Sequence, residues 1–331
     1  MKQILFLLLL SSFSFSQSLS LSDENLIHSH LSLKNERLYL FYSDKLIDIN
    51  LKDFTQKEVP YDSSNIDLKD FIPVSVNFKD YYLDPQGGGV YLFENYTFKR
   101  IDTSYKHRMQ IESSVFTYKN GIYKYGGYGF WSNRNFITKF NFETKQWDFV
   151  PHSKSKELPN GSHNSFVKVI DDDIYVYGGL KVNEFNPDII EDNNEIWKFN
   201  FINEVWEKLG INDFQKENKL NNEKIDYGNK SLFFDRKTNT TSHIDFTNNI
   251  LSTYKNSTLL NSLSSLPISF FYKNKFYLFI KENPSSTIIA LKTRNEDEIL
   301  GEIIDHKPFY RNQSDLIILI VIIGSVLILI L

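Results

Sequence analysis

Ile122-Tyr123-Lys124-Tyr125-Gly126-Gly127 and Ile174-Tyr175-Val176-Tyr177-Gly178-Gly179 are one phrase written twice along the chain. Each is an aromatic-rich strand pattern that ends in a glycine pair. In both, a second aromatic segment and a tryptophan follow. The first copy runs on through Thr138–Phe142 to Trp147 and Pro151, the second through Ile196–Asn200 to Trp206 and Leu209. Tandem copies mean a repeat architecture, so the chain is divided by repeats before it is divided by domains.

Working outward from these copies, strand patterns separated by Asn, Lys, Asp and Gly turns gather into six groups of about four. The groups span about 24–60, 72–103, 111–151, 164–209, 224–254 and 268–305. The second strand of each offers a register mark: Tyr39, Tyr82, Tyr123, Tyr175, Leu232 and Tyr277. Four strands every 40 to 50 residues or so is the signature of a propeller blade, which must stack in a ring to bury its faces. Both terminal groups hold four strands of their own on this reading, so closure needs no exchanged strand. No amphipathic helix is expected before the C-terminal tail.

The third and fourth groups resemble kelch repeats. The residues that carry the resemblance are Gly126, Gly127 and Trp147 in one group and Gly178, Gly179 and Trp206 in the other. It covers about 105–210 directly and 24–305 by extension. Groups one, five and six lack the doublet, and group two has Gly87-Gly88-Gly89 at a shifted place. The resemblance implies an all-β, six-bladed kelch-type β-propeller in which the glycine pair closes the second strand. It also implies that the tryptophan packs from the fourth strand. The physics agrees: glycine supplies positive φ and close backbone approach, and a large ring fills the space between sheets.

Composition bounds the function. The 331 residues are 41% hydrophobic and 24% charged, with 28 Phe and 19 Tyr, which suits a globular β protein. The net charge is −4 and no basic block stands out, so no nucleic-acid partner is expected. There is no cysteine. That excludes disulfides, thiolate metal sites and the cross-linked Cys–Tyr radical of the copper oxidases that share kelch-type propellers. No cofactor is implied.

Both ends carry membrane signals. Residues 1–16 read as a signal peptide, with Lys2, the apolar run Ile4–Leu10 and a Ser14-Phe15-Ser16 cleavage site. Residues 17–23 form a Ser-rich spacer and 306–315 a juxtamembrane linker. Residues 316–331 are apolar except for Gly324 and Ser325 and read as a transmembrane segment, either a minimal span or the first part of a longer one. The expected location is outside the cytoplasm, anchored to the membrane.

Propeller function lives in loops at one end of the ring. The loops after the glycine pairs are therefore the expected contact surface for a protein or glycan. They bring Tyr128, Phe130, Trp131 and Arg134 from one group, and Glu184, Phe185 and Asp188 from the other. Exposed aromatics beside an arginine have the chemistry of a binding hot spot. Phe130 and Trp131 can instead pack between blades, and the acidic insertion can be a solvated loop. The competing reading is an enzyme. Propellers resembling sialic-acid mutarotases use acid/base residues near the channel, and that resemblance points to Arg108, Glu112, Arg134 and Glu184. His28 and His30 alternate on a strand at a spacing that suits metal, but no third ligand can be named. His163 precedes the first strand of the fourth group, His107 lies near the equivalent place in the third, and both read better as hydrogen-bonded structural residues. No metal site is assigned.

Overall fold

The computed structural model describes residues 19–64, 66–103, 110–183, 185–186, 188–212, 223–283 and 285–311. Six antiparallel sheets follow one another along the chain, and each is a blade. Blade 1 holds strands Leu26–Ser32, Arg37–Tyr42, Leu46–Asn50 and Gln56–Val59. Blade 2 holds Ile72–Val76, Lys79–Leu83, Val90–Glu94 and Thr97–Arg100. Blade 3 is built from Ser114–Tyr118, Gly121–Tyr125, Ile137–Asn141 and Gln146–Phe149. Blade 4 is built from Phe166–Ile170, Asp173–Tyr177, Glu195–Asn200 and Val205–Ile211, and blade 5 from Glu223–Tyr227, Lys230–Asp235, Thr240–Asp245 and Ile250–Lys255. First strands of neighbouring blades lie against one another, 1 on 2, 2 on 3, 3 on 4 and 5 on 6.

The core shows why the ring closes. Buried apolar side chains fall into six clusters, and each cluster joins two adjacent sheets. The sixth junction, between the last blade and the first, contains Leu19, Leu21, Leu38, Leu40, Phe270 and Phe279. A single sheet exposes two half-apolar faces, and only stacking in a circle buries them all. The fold is thus an all-β, six-bladed propeller.

Closure differs from the expectation drawn from sequence. Blade 6 supplies only Phe270–Tyr272, Lys275–Lys281 and Ile288–Arg294 from its own stretch. Its fourth, outer strand is Ser20–Ser22, paired as Ser20↔Ala290, Leu21↔Ile289 and Ser22↔Ile288. The Ser-rich stretch expected to be a spacer is therefore a strand. Its Ser-Leu-Ser-Leu-Ser alternation puts Leu19 and Leu21 together on a buried face.

The segment near residue 298 also departs from expectation. Instead of a fourth strand for blade 6 it begins as the short helix Glu296–Leu300. Asn295 and Glu298 form a capping box at its start, and Ile299 and Leu300 are buried against the blade 5–6 junction. Strand Glu302–Pro308 then adds to blade 5 as a fifth strand beside Ile250–Lys255, and Phe309 is buried behind it, so residues 306–311, expected to begin a juxtamembrane linker, belong to the propeller. A second helix, Ser257–Ser262, is capped by the Asn256 side chain and buries Leu259 and Leu260. Both helices are too short to display a periodic stripe.

The proposed leader, residues 1–16, and the proposed membrane segment, 316–331, lie outside the described residues. Among the described residues no helix is long and apolar enough to cross a membrane.

Candidate functional site: the rim of blades 3 and 4

The site begins at the glycine pairs. Gly126 and Gly127 have φ of 68° and 97°, and Gly178 and Gly179 have 65° and 87°. A Cβ on Gly126 would stand 2.3 Å from the Ser162 carbonyl oxygen, and one on Gly127 2.7 Å from Gln110 backbone. A Cβ on Gly179 would stand 2.6 Å from the His163 oxygen. Glycine is required at these positions both for φ and for backbone approach. The approach lets the chain leaving each pair bind the loop that enters the same blade. Tyr128 and Ile111 exchange backbone hydrogen bonds of 2.8 and 2.9 Å, and Leu180 and His163 do the same at the equivalent place.

Two hairpins stand on these foundations. Tyr128–Gly129 pairs with Ser132–Asn133, and Leu180–Val182 pairs with Ile190–Asp192. Strand Ser132–Asn133 lies against strand Leu180–Val182, so the hairpins are neighbours. The first turns through only two residues, Phe130 and Trp131, at φ of 48° and 59°. A two-residue turn with both φ positive matches strand twist but suits Asn-Gly, not two bulky aromatics. Both rings are nevertheless exposed, at 67% and 78%. The packed reading of these residues is excluded; they face outward.

Arg134 braces this turn by donating from Nη2 to the Gly129 carbonyl at 3.0 Å. On the second hairpin Phe185 is 95% exposed, and its N–H donates to Asn183 Oδ1 at 2.9 Å. Asp188 is exposed, and its backbone N–H donates to Asn186 Oδ1. A cavity of 240 Å³ opens beside this hairpin, lined by Asn160, Lys181, Val182, Asn183, Phe185 and Glu191. Glu184 lies outside the described residues, as do His107 and Arg108. The fold therefore brings Tyr128, Phe130, Trp131, Arg134, Phe185 and Asp188 onto two adjoining hairpins.

Behind the hairpins lies a polar group that the sequence did not assemble. His163 is buried, and its Nδ1 hydrogen-bonds Asn133 Oδ1 at 2.9 Å. With that oxygen as acceptor, Nδ1 carries the proton. Nε2 faces Glu112 Oε2 at 4.0 Å. Burial pushes the His163 pKa below the usual value, and the Glu112 carboxylate offsets part of that push. The ring is thus neutral at neutral pH, and it fastens the hairpin to the next loop. Glu112 also accepts from Asn164 Nδ2 at 2.7 Å. Glu112 and Asn164 occupy equivalent repeat positions, both with left-handed backbone, φ 54° and 52°. Counting one repeat forward from Glu112 would have found Asn164.

The two tryptophans sit at blade junctions. Trp206 is buried between blades 3 and 4, with its ring 5.5 Å from Tyr125 and 5.0 Å from Phe199. Trp147 packs between blades 2 and 3 and donates from Nε1 to the Gly88 carbonyl at 2.9 Å. Beside it, Lys124 is buried with Nζ 4.1 Å from the indole centroid. Burial lowers the Lys124 pKa to about 8, although Asp102 and Asp84 pull it upward. Lys124 lay in the opening phrase as a strand residue, and nothing in that phrase marked it as buried.

No family model matches the chain, and no curated protein matches it. Solved structures do. A structure of YjhT aligns with a TM-score of 0.51 over 83% of this chain and 98% of that chain, at 10% identity. At that identity the likeness speaks for the fold alone, and it agrees with the six-bladed ring.

Proposed function

We propose that this protein is an exported, membrane-tethered propeller of kelch type that docks a partner protein through the rim hairpins of blades 3 and 4. The carrying observation is the Phe130-Trp131 tip. Left-handed backbone at a bulky residue costs about 1–3 kcal/mol, and it persists where the surrounding structure holds it. Here it presents two rings to solvent on a hairpin braced by Arg134 and backed by His163. Phe185 on the adjoining hairpin, with exposed Ile189 and Ile190, extends the apolar surface. Aromatic anchors next to an arginine are where interface energy concentrates. The kelch assignment is supported by the glycine pairs and interblade tryptophans. The export and anchor assignments are supported by the sequence of the two ends.

The test is a photo-cross-linker placed at position 131 or 185 of the full-length chain, in its membrane. One discrete adduct is expected from both positions and none from Ile202, which is exposed elsewhere. The double variant Phe130→Asn/Trp131→Gly installs the preferred turn residues. It should raise stability by about 1 kcal/mol while the adduct at 185 disappears. An adduct at 185 that survives this variant, or no adduct at either position, sinks the reading. For the tether, carbonate washing should leave the chain with membranes and should release a chain ended after Arg311.

A second reading rests on Glu112, a half-buried carboxylate in left-handed backbone 4.0 Å from an imidazole. It makes the protein a sugar-modifying enzyme of the sialic-acid mutarotase type. Accelerated interconversion of sugar anomers, followed by NMR and lost in Glu112→Gln, would replace the docking reading with this one.

A further inference from the structure

On the other end of the strands, a groove lies between blades 1 and 2. Its volume is 340 Å³, within the small-ligand range of about 300–1,000 Å³. Two buried carboxylates line its floor, Asp48 and Asp80, each at least nine-tenths buried, and the exposed side chains of Lys79 and Glu94 stand at its edge. Asp80 Oδ1 takes hydrogen bonds from Ser32 and Ser75 and meets His30 Nε2 at 3.0 Å, while Oδ2 takes one from Asn35 at 3.1 Å. Asp48 accepts from Arg37 at 3.3 Å and from the Tyr96 hydroxyl at 3.2 Å. These bonds hold both carboxylates in place. The lip is Phe78, which is 72% exposed and sits at φ 60° in the two-residue turn Asn77-Phe78. Tyr96 closes another such turn, Asn95-Tyr96, on the same groove.

We infer that this groove binds a neutral saccharide unit, with Phe78 stacking on an apolar sugar face and the Arg37–Asp48 pair and Asn35 taking its hydroxyls. Three features select that chemistry. First, each buried carboxylate of the floor is matched by a cation or a set of donors, and the two charges at the edge, Lys79 and Glu94, are of opposite sign, so no strong field of one sign favours an anion or a cation. Second, a purely apolar ligand would bury the Arg37 guanidinium and the Asn35 amide against hydrocarbon, which costs more than it returns. Third, an exposed aromatic face beside planar polar side chains suits a molecule with hydroxyls on its rim and C–H groups on its face. The strained backbone at Phe78 supports a functional ring, because Asn-Gly would make the same turn without strain. The site is separate from the rim hairpins and does not depend on the docking reading.

The test is saturation-transfer NMR on the full-length protein with methyl glucoside, methyl galactoside and N,N′-diacetylchitobiose, followed by titration of the best binder. Binding with a millimolar or tighter Kd is expected for at least one. Phe78→Gly, which makes the favoured Asn-Gly turn and keeps the fold, should weaken it at least tenfold. Arg37→Met should also weaken it, and Trp131→Ser should leave it unchanged. The inference is overturned if none of the three binds, if Phe78→Gly binds as the parent does, or if an anionic sugar acid outcompetes its neutral counterpart.

Discussion

The junction between blades 3 and 4 and the junction between blades 1 and 2 perform the same task by different means. At 3–4, backbone meets backbone: a glycine pair lets a loop carbonyl come within 2.8 Å of the Gly127 N–H, and tryptophan fills the remaining space. At 1–2 there is no glycine pair. A buried carboxylate, Asp80, gathers His30, Ser32, Ser75 and Asn35, and beneath it lies an aromatic cluster of Phe41, Tyr82, Phe93 and Phe98. The contrast teaches that a blade junction needs close approach of its two sheets, and that more than one set of residues supplies it.

That contrast can be broken at either side. The largest effect is expected from Gly126→Ala, which puts a Cβ 2.3 Å from a backbone oxygen at φ 68°. It should cost about 4 kcal/mol or more in a urea melt, or abolish soluble protein. A mild loss would mean that the 3–4 junction yields as side-chain junctions do. Next comes Asp80→Ala, which strands four polar partners in a buried site. A loss of about 3 kcal/mol is expected, and a loss below 1 would dismiss the network as the organiser of the 1–2 junction.

Acid should discriminate the junctions as well. His28 is half-buried against Phe41 and Tyr82, with its Nε2 enclosed and unpaired. Burial, helped by the charge of His30, lowers its pKa from 6.5 to about 4. The unfolded chain then binds the proton more readily, so this contribution is present above pH 6.5 and is lost as pH falls toward 4. Melts between pH 7 and pH 4 should lose about 2–3 kcal/mol, less so in His28→Leu. An unchanged acid slope in that variant would place the sensitivity elsewhere.

The smallest effect concerns the junction of blades 2 and 3, which mixes both styles. Lys124 is charged below pH 8 in a site that disfavours charge, and the unfolded state keeps its proton to higher pH. Lys124→Met should therefore stabilise by about 1 kcal/mol at pH 7, after loss of the contact with Trp147, and the gain should fade toward pH 10. Destabilisation at pH 7 would show that the indole contact outweighs the burial.

The comparison also explains what was legible. Gly126-Gly127 and Gly178-Gly179 could be read because a backbone requirement leaves one residue type, and their repeat period set the blade count. The rim hairpins followed from those pairs, and Phe130 and Trp131 were found where expected but more exposed than the packed alternative allows. Asp80 could not be read, since its partners stand up to 50 residues away and any of several polar residues would fit its position. The closing strand was missed because Ser18–Ser22 is rich in a residue common in loops, although its leucines alternate. The helix at Glu296 was missed because one turn shows no stripe, although its Asn-x-x-Glu cap was in plain sight.

Strand Ser20–Ser22 carries a consequence for how the molecule is made. Its partner, Ile288–Arg294, comes from the far end of the chain, so this pairing is the most non-local contact in the ring. Contacts of that separation form late and slowly, because the whole intervening chain must be ordered first. Until then the strand Ile288–Arg294 has an open edge, and an open edge pairs with whatever strand is nearest. A newly made chain is therefore most exposed to aggregation at its last blade, and the first few residues of the folded domain guard against it.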